Sequence, residues 1–526
     1  MISWLRTKLS SGGAQLLDQA EKAYAAGDLE QMRAACMALL RREPNQPRAL
    51  FLMASAAADE KKIDEGLRWA RLAQETAPHD AAPHYALGRI WEAAARYAAA
   101  ETSYRRALQI DADNARIHNN LGVVLHMQGR FDEALDCYRR ALEIDPAQPQ
   151  ANQNYALIAL EPASQQRAIE GYVRHLAANP NDAAAFRNLG NLYNETGRAD
   201  QALAALDRAL ALAPDDAGTH LARAGVLLLL ARYEEGWKEY EWRWRLDLYN
   251  APAKRFPNMW NGERLAGTVL MHGETGLGDM LQFVRYAPRV AERCEEVVLE
   301  CQPALKHLFE NQDLPARLVT QGDALPAFDA HVPIIRLPYL FATTLQTVPW
   351  SGPYLRPDPR RVAEWAQLLG PRRGARRIGL VWAGNPANMA DRRRSMQLSQ
   401  LAPLAGVAGV EFHSLQKGPP AAETAAGPEG LTLLDFTSRI RDFSDTAALV
   451  SVLDLVLTVD TSVAHLAGAM GVPVWVMLSW SADWRYHSGR NDNPWYPTMR
   501  LFRQPDLGNW SAVVQDVAAA LREGCG

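Results

Sequence analysis

A period of 34 residues runs through the first half of this chain, and a chain built that way folds as stacked copies of one supersecondary unit. Pro44, Pro78, Pro146, Pro180 and Pro214 lie on one lattice of that spacing, with Ala112 at the remaining point. A second lattice carries only small residues: Ala54, Gly88, Gly122, Ala156, Gly190 and Ala224. A third does the same with Gly66, Ala100, Ala134, Ala168, Ala202 and Gly236. A fourth holds Tyr104, Tyr138, Tyr172 and Tyr240, with Leu206 in register. Small residues let two antiparallel helices approach closely, the large residue fills the gap between pairs, and proline ends the second helix.

These columns resemble the tetratricopeptide repeat. NNLGVVLHMQGRFDEALDCYRRALEIDPAQ and RNLGNLYNETGRADQALAALDRALALAPDD are near-consensus units. Six full units cover residues 13–216, and a partial seventh runs into EEGWKEYEWRWRLDLY, so the repeat region is placed at 1–250. The unit at 148–181 is the weakest, with His175 at a position that is normally small. The resemblance implies a right-handed superhelix with a concave groove for a protein partner. Asn119, Asn120, Asn154, Asn188 and Asn191 recur on first helices, where an asparagine facing the groove could hold a peptide backbone. Solvated surface asparagines are the competing reading.

After Tyr249 the period stops. PAKRFPNMWNGERLAG has no apolar repeat, which makes 251–263 a linker or wrapping loop. TVLMHG, VVLEC and ARLVT then read as strands separated by the helices MLQFVRYAPRVAERC and PALKHLFENQ. Alternating strand and helix predicts a parallel sheet covered on both faces. One such unit is placed at 264–360. SGPYLRPDPRRVAEWAQLLGPRRGARR crosses to a second at 375–526, built from RIGLVWAGNP, GVEFHSLQKG, LTLLDFT, DTAALVSVLDLVLTVDTS and VPVWVML, with a closing helix in NWSAVVQDVAAALRE. The fold class is therefore α followed by α/β, two Rossmann-type units in series, with ligands expected at the carboxyl ends of the strands.

Composition removes several functions. A net charge of -4 gives no footprint for nucleic acid. The five cysteines form no CxxC pair, which fits neither a zinc site nor a disulfide framework and suits a reducing, cytoplasmic setting. MISWLRTKLSSGGAQ lacks the apolar stretch of a secretory signal, and the greasiest run, AGVLLLLA, is too short to span a bilayer, so no transmembrane segment is expected.

The strand-to-helix junctions carry the polar residues. In LTVDTSVAHLAGAMG an apolar strand runs into Asp460, Thr461 and Ser462 and then a small-residue helix with His465. Backbone N–H groups at such a turn, with the helix dipole, favour a diphosphate, and the hydroxyls add donors. Asp460 is read as an N-cap-like acceptor or as a partner for His465 or a ribose; an ordinary capped helix with an interior histidine is the competing reading. GETGLGDM is a glycine-rich turn holding Gly276, Gly278 and Asp279, followed by Gln282. It matches neither GxGxxG nor a P-loop, which argues against nicotinamide or ATP. WAGNPANMADRRRS brings Gly384 and Asn385 together with Arg392, Arg393 and Arg394, and FHSLQKG ends a strand on Gln416 and Lys417. These side chains could meet phosphate or a base, with a solvated basic loop as the alternative. Trp480, Trp484, Trp495 and Tyr496 could stack on a ligand, although burial as a wall is the commoner role. No acid pair or histidine cluster has metal-site spacing, so no metal and no cofactor are expected.

GLGDMLQFVRYAP, GLVWAGNP and TVDTSVAHLAGAMGVPVW are similar to the family 9 glycosyltransferases, the heptosyltransferase group with the two-domain GT-B fold. The whole chain resembles a bacterial class in which tetratricopeptide repeats precede this domain, with EEGWKEYEWRWR, FHSLQKG, DWRY and NPWYPTMRLFRQ as further shared motifs. The resemblance implies Asp279 as general base for the acceptor hydroxyl. It implies Asp460, Thr461, Ser462 and His465 as holders of the donor's diphosphate and ribose, and Arg392 or Arg394 as the cation on the leaving group. The implied partners are a nucleotide-sugar and a protein or glycan acceptor presented by the repeats. A scaffold with a non-catalytic α/β half is the second reading, and a transferase like the eukaryotic O-linked N-acetylglucosamine enzyme a third.

Overall fold

A computed structural model describes residues 11–25, 27–145, 148–158, 162–246, 256–274, 276–372, 374–386 and 391–523. The opening residues MISWLRTKLS, Pro146, the first part of the proposed linker, Thr275, residues 387–390 of the arginine loop and the side chain of Ala156 lie outside this description. The chain divides into two compact units between Pro180 and Asn181, within the stretch that the repeat period groups together.

The first unit is five helical hairpins: α1 (Ser11–Ala25) with α2 (Leu29–Arg42), α3 (Pro47–Asp59) with α4 (Ile63–Thr76), α5 (Ala81–Ala93) with α6 (Tyr97–Ile110), α7 (Ala115–Met127) with α8 (Phe131–Ile144), and α9 (Pro149–Ile158) with α10 (Pro162–Ala178). The repeat lattices map onto contacts. A Cβ added to Gly122 would meet the Tyr138 ring at 2.5 Å, and Gly88 stands in the same relation to Tyr104, so the aromatic fills the gap inside its own hairpin. Each proline falls two residues past the end of a second helix, and α6 ends just as far before Ala112 as its counterparts do before proline.

Two further lattices of the same period were not singled out in the sequence. Gln46, Asp80, Asn114, Asp182 and Asp216 cap first helices by accepting from backbone N–H groups two or three residues on. Gly27, Lys61, Ala95, Gly129, Gly197 and Ala231 take positive φ at the turn inside each hairpin. The corresponding point in the weak unit, Ala163, lies inside α10 instead. Three of the recurring first-helix asparagines bond to one another: Asn154 Nδ2 donates to Asn119 Oδ1 at 2.9 Å, and Asn119 Nδ2 to Asn120 Oδ1 at 3.0 Å.

The second unit opens with two more hairpins, α11 (Ala183–Glu195) with α12 (Ala199–Leu212) and α13 (Ala217–Leu229) with α14 (Tyr233–Tyr240). Two parallel sheets follow. The first has the order β3-β2-β1-β4, from β1 (Leu265–His272), β2 (Cys294–Cys301), β3 (Arg317–Thr320) and β4 (Ala330–Pro333). The second has the order β10-β9-β8-β5-β6-β7, from β5 (Arg376–Val381), β6 (Val410–Ser414), β7 (Leu433–Asp435), β8 (Leu455–Val459), β9 (Val474–Leu478) and β10 (Met499–Arg503). The strand order reverses between β5 and β8, as it does between β1 and β4, which is the doubly wound pattern. The four-residue β4 and the edge strand β10 had no strand signal in the sequence reading.

The wrapping segment is docked from Phe256 onward: Trp260 N donates to His331 O at 2.7 Å and its ring is buried. The helices that matter for the site are α15 (Leu277–Phe283), α16 (Pro359–Leu369), α17 (Phe443–Ser451) and α18 (Ser462–Ala469), with α19 (Trp510–Glu523) closing the chain. One apolar core joins Leu228, Tyr233 and Trp237 of the last hairpin to Met271 and Phe283 beside the first sheet and to Val456 and Trp495 of the second. Among the described residues no helix is long and apolar enough to cross a membrane.

Candidate active site

The turns leaving β1, β5, β6, β8 and β9 face one cleft of about 750 Å³. It stands at the β5/β8 reversal, where doubly wound sheets hold ligands. Twelve of the residues expected there from the sequence line it: Gly276, Gly278, Asp279, Gly384, Asn385, Arg394, Gln416, Lys417, Asp460, Thr461, Ser462 and His465.

The helix after β8 starts where its sequence predicts, with Thr461 as N-cap and no side chain capping it. Asp460 is not that cap. Its carboxylate accepts from Tyr486 Oη at 2.7 Å, with Arg394 Nη1 3.8 Å from its other oxygen. Burial, reinforced by the charge of Asp483, raises the Asp460 pKa against the opposing pull of Arg394 and Tyr486. His465 Nδ1 meets Tyr496 Oη at 3.0 Å, and burial pushes its pKa down to about 3, so the ring is neutral and is no proton shuttle near pH 7.

Gly278 serves packing as well as the cleft. A Cβ there would stand 2.8 Å from His465 Cδ2, so the glycine lets α15 and α18 touch across the two sheets. Asp279 is held twice: Oδ1 accepts from Arg485 Nη2 at 2.5 Å, and Oδ2 accepts from the Gly276 N–H at 3.2 Å.

Other expected contacts are redirected. Gln416 Oε1 accepts from the Trp382 and Ala383 N–H groups, and its Nε2 donates to Ala383 O and Lys417 O. Its amide is thereby saturated, and its role is to lock the exits of β5 and β6 together rather than to read a base. Lys417 Nζ donates to Thr437 O and Ile440 O, which fixes its charge at the cleft wall. Arg392 is exposed and does not line the cleft, whereas Arg393 pairs with Glu195 of α11 at 3.0 Å. Of the three arginines only Arg394 reaches the site, because Asp391 holds it there at 3.2 Å. Gln282 lies behind the lining, buried, and accepts from Arg485 Nε at 2.8 Å. Trp484, Trp495 and Tyr496 are packing residues, and Trp480 lies against Gly197 of the α11–α12 turn; none of the four lines the cleft.

The residues that the sequence reading left without a role are Asp483, Arg485 and Tyr486, in the DWRY motif. Neighbours in that turn grip two of the cleft carboxylates: Arg485 holds Asp279, and Tyr486 holds Asp460. Trp484 between them faces the other way, edge-on to Trp237 of α14 with ring centroids 5.2 Å apart. A buried relay secures the same segment: Trp495 Nε1 donates to Tyr233 Oη at 2.9 Å, Tyr233 Oη lies 3.0 Å from His487 Nε2, and His487 Nδ1 faces Leu228 O at 3.3 Å. The last repeat hairpin thus carries the loop that sets the site.

Among the described lining residues three cations, Arg394, Lys417 and Arg485, face three carboxylates, Asp279, Asp460 and Asp483. An anion entering this cleft must compete for Arg394 and Arg485 with acids already bound to them.

Tetratricopeptide repeat families match residues 93–129, 115–148 and 166–217. Protein FlbA of Caulobacter vibrioides is 33% identical over 337 residues, which covers 57% of this chain and 54% of that protein. The chain therefore spans about half the length of this curated relative. Among solved structures, PilF of Pseudomonas aeruginosa is similar at 20% identity and a TM-score of 0.32, covering 40% of this chain and 97% of that one. YrrB, described as a TPR protein with an unusual peptide-binding site, is similar at 20% identity and a TM-score of 0.26, covering 35% of this chain and 95% of that one. The chain carries tetratricopeptide repeats ahead of an α/β region of two parallel sheets.

Proposed function

We propose that the protein is a metal-independent glycosyltransferase of GT-B type that transfers a sugar from a nucleotide-sugar to an acceptor hydroxyl. The observation that supports this most is the meeting of Asp279 from one parallel sheet with Asp460, Arg394 and the uncapped start of α18 from the other, in one cleft at a strand-order reversal. In this reading the diphosphate lies over the start of α18, whose free N–H groups and dipole suit an anion. Asp460 accepts from a ribose hydroxyl. Asp279 takes the proton of the acceptor hydroxyl as its oxygen bonds to the anomeric carbon, and the bond to the diphosphate breaks with its electron pair leaving on the nucleotide. A neighbouring arginine neutralises the departing charge. The repeats present a protein acceptor, and the reaction belongs in the cytoplasm.

The second reading is a repeat scaffold whose α/β half does not turn over a donor. It draws on the repeats, which serve protein–protein contact, and on the pairing of Asp279 with Arg485. A thermal-shift panel of nucleoside diphosphates and nucleotide-sugars, run on the wild type and on Asp460→Ala, separates the two. Stabilisation by one nucleotide that is lost in the variant supports the donor site; no shift with any of them leaves the scaffold.

A further inference from the structure

Arg485 is the only side chain that joins the carboxylates of the two sheets' turns among the described residues of this cleft. It leaves the loop after β9 and spends its N–H groups on three different partners: Nε on Gln282 Oε1 at 2.8 Å, Nη1 on Asp483 Oδ1 at 2.8 Å, and Nη2 on Asp279 Oδ1 at 2.5 Å. Three of five N–H bonds are used, and the side chain still lines the cleft. The Trp484 ring lies 4.4 Å and the Phe283 ring 5.9 Å from the guanidinium carbon. A carboxylate bound to a guanidinium is a poor base, because the bond stabilises the charge that a proton would remove. A diphosphate offers the guanidinium more charge than either aspartate, in the fork geometry that arginine prefers.

Resting on the glycosyltransferase reading, we propose that Arg485 is the residue that binds the donor's diphosphate and that, by moving to it, releases Asp279 to accept the acceptor's proton. Asp279 and the diphosphate compete for one guanidinium, so the base becomes competent only once the donor is in place. The donor binds first, the acceptor is activated second, and the same arginine is already on the leaving group when the glycosidic bond to it breaks. Asp483 is the second competitor, from the side of the nucleotide. Arg394, on another loop, pairs with Asp391 at 3.2 Å and stands 3.8 Å from Asp460, and takes no part in this exchange.

The test is calorimetric binding of UDP, GDP, ADP and CDP to the full chain, followed by the tightest of them on variants. Asp279→Asn is expected to bind about tenfold tighter than wild type, the scale of one charge-assisted hydrogen bond returned to the ligand. Asp483→Asn moves the same way, and Arg485→Gln binds about tenfold weaker or worse. In the double variant Asp279→Asn/Arg485→Gln the tightening disappears. Tightening that persists undiminished in the Arg485→Gln background would be plain cleft electrostatics and overturns the proposal, as does an Asp279→Asn affinity equal to or below wild type. If Arg485→Gln does not fold, Asp279→Asn and Asp483→Asn still decide: neither tightening overturns it. A wild type that binds none of the four overturns the donor-site reading itself, whereas nucleotide binding that ignores Asp279 and Arg485 overturns only this inference.

Discussion

Tyr233→Phe removes one oxygen from the interior of the second unit. That oxygen accepts from the Trp495 indole at 2.9 Å and faces the His487 ring nitrogen at 3.0 Å, and all three side chains are at most 2% exposed. The phenyl ring keeps its packing against Trp237 and Trp495, so little apolar burial is lost. What changes is that an indole N–H and an imidazole nitrogen lose their partner where water does not reach. Each orphaned group costs about 1–3 kcal/mol, which puts the variant about 2–6 kcal/mol below wild type. The assay is urea unfolding followed by tryptophan fluorescence, which reports chiefly on the second unit because only Trp4, Trp69 and Trp91 of the 15 tryptophans precede it. Circular dichroism reads the helices of both units, and the part of its signal that α1–α10 contribute should still unfold at the wild-type urea concentration. A loss under about 0.5 kcal/mol would refute the relay as a structural link between the last hairpin and the site loop.

In the repeats, Gly122→Ala puts a methyl group into the Tyr138 ring and should destabilise the first unit by about 1–3 kcal/mol, visible as an earlier circular-dichroism transition. Stability should fall on acidification below pH 6.5. His465 and His487 are pushed down to about 3 and about 4 by burial, so the unfolded chain takes up protons that the folded one refuses. Each ring then costs up to about 1.4 kcal/mol per pH unit between 6.5 and its folded value, and nothing above 6.5. His487→Gln should flatten that slope in a pH series of thermal melts. Asp460 has the opposite sign: its raised value means that ionisation works against folding once the pH passes the ordinary 3.8, so Asp460→Asn should melt higher than wild type at pH 7.

Much of the fold was legible because it repeats. Gly88 and Gly122 announce tight hairpins through their spacing to Tyr104 and Tyr138, a local relation that any copy displays. The α/β half was legible where strands are long and apolar, as in LVLTV, and illegible in AHVP, whose four residues are too few for a pattern. The site divided along the same line. Asp279 and Asp460 stood out because an acid directly after an apolar strand or a glycine turn is conspicuous in the sequence whatever surrounds it. Their partners were hidden because Arg485 and Asp279 are 206 residues apart, and a tryptophan–arginine–tyrosine run between Asp483 and His487 looks like packing. Gln416 misled for a related reason: a polar residue at a strand exit suits a ligand, but here two neighbouring strand exits consume all of its hydrogen bonds. Arg392, Arg393 and Arg394 are alike in sequence, and the carboxylates of Glu195 and Asp391 send the last two to different places.

The most direct test of the central claim is donor turnover. Purified full-length protein is incubated with the nucleotide-sugar that stabilises it, and release of nucleoside diphosphate is followed for the wild type and Asp279→Asn. Turnover by the wild type that falls by about 10²–10⁴-fold in the variant, with nucleotide binding retained, is the result expected of a transferase whose base is Asp279. Binding without any turnover by the wild type, or turnover that Asp279→Asn leaves intact, would contradict it.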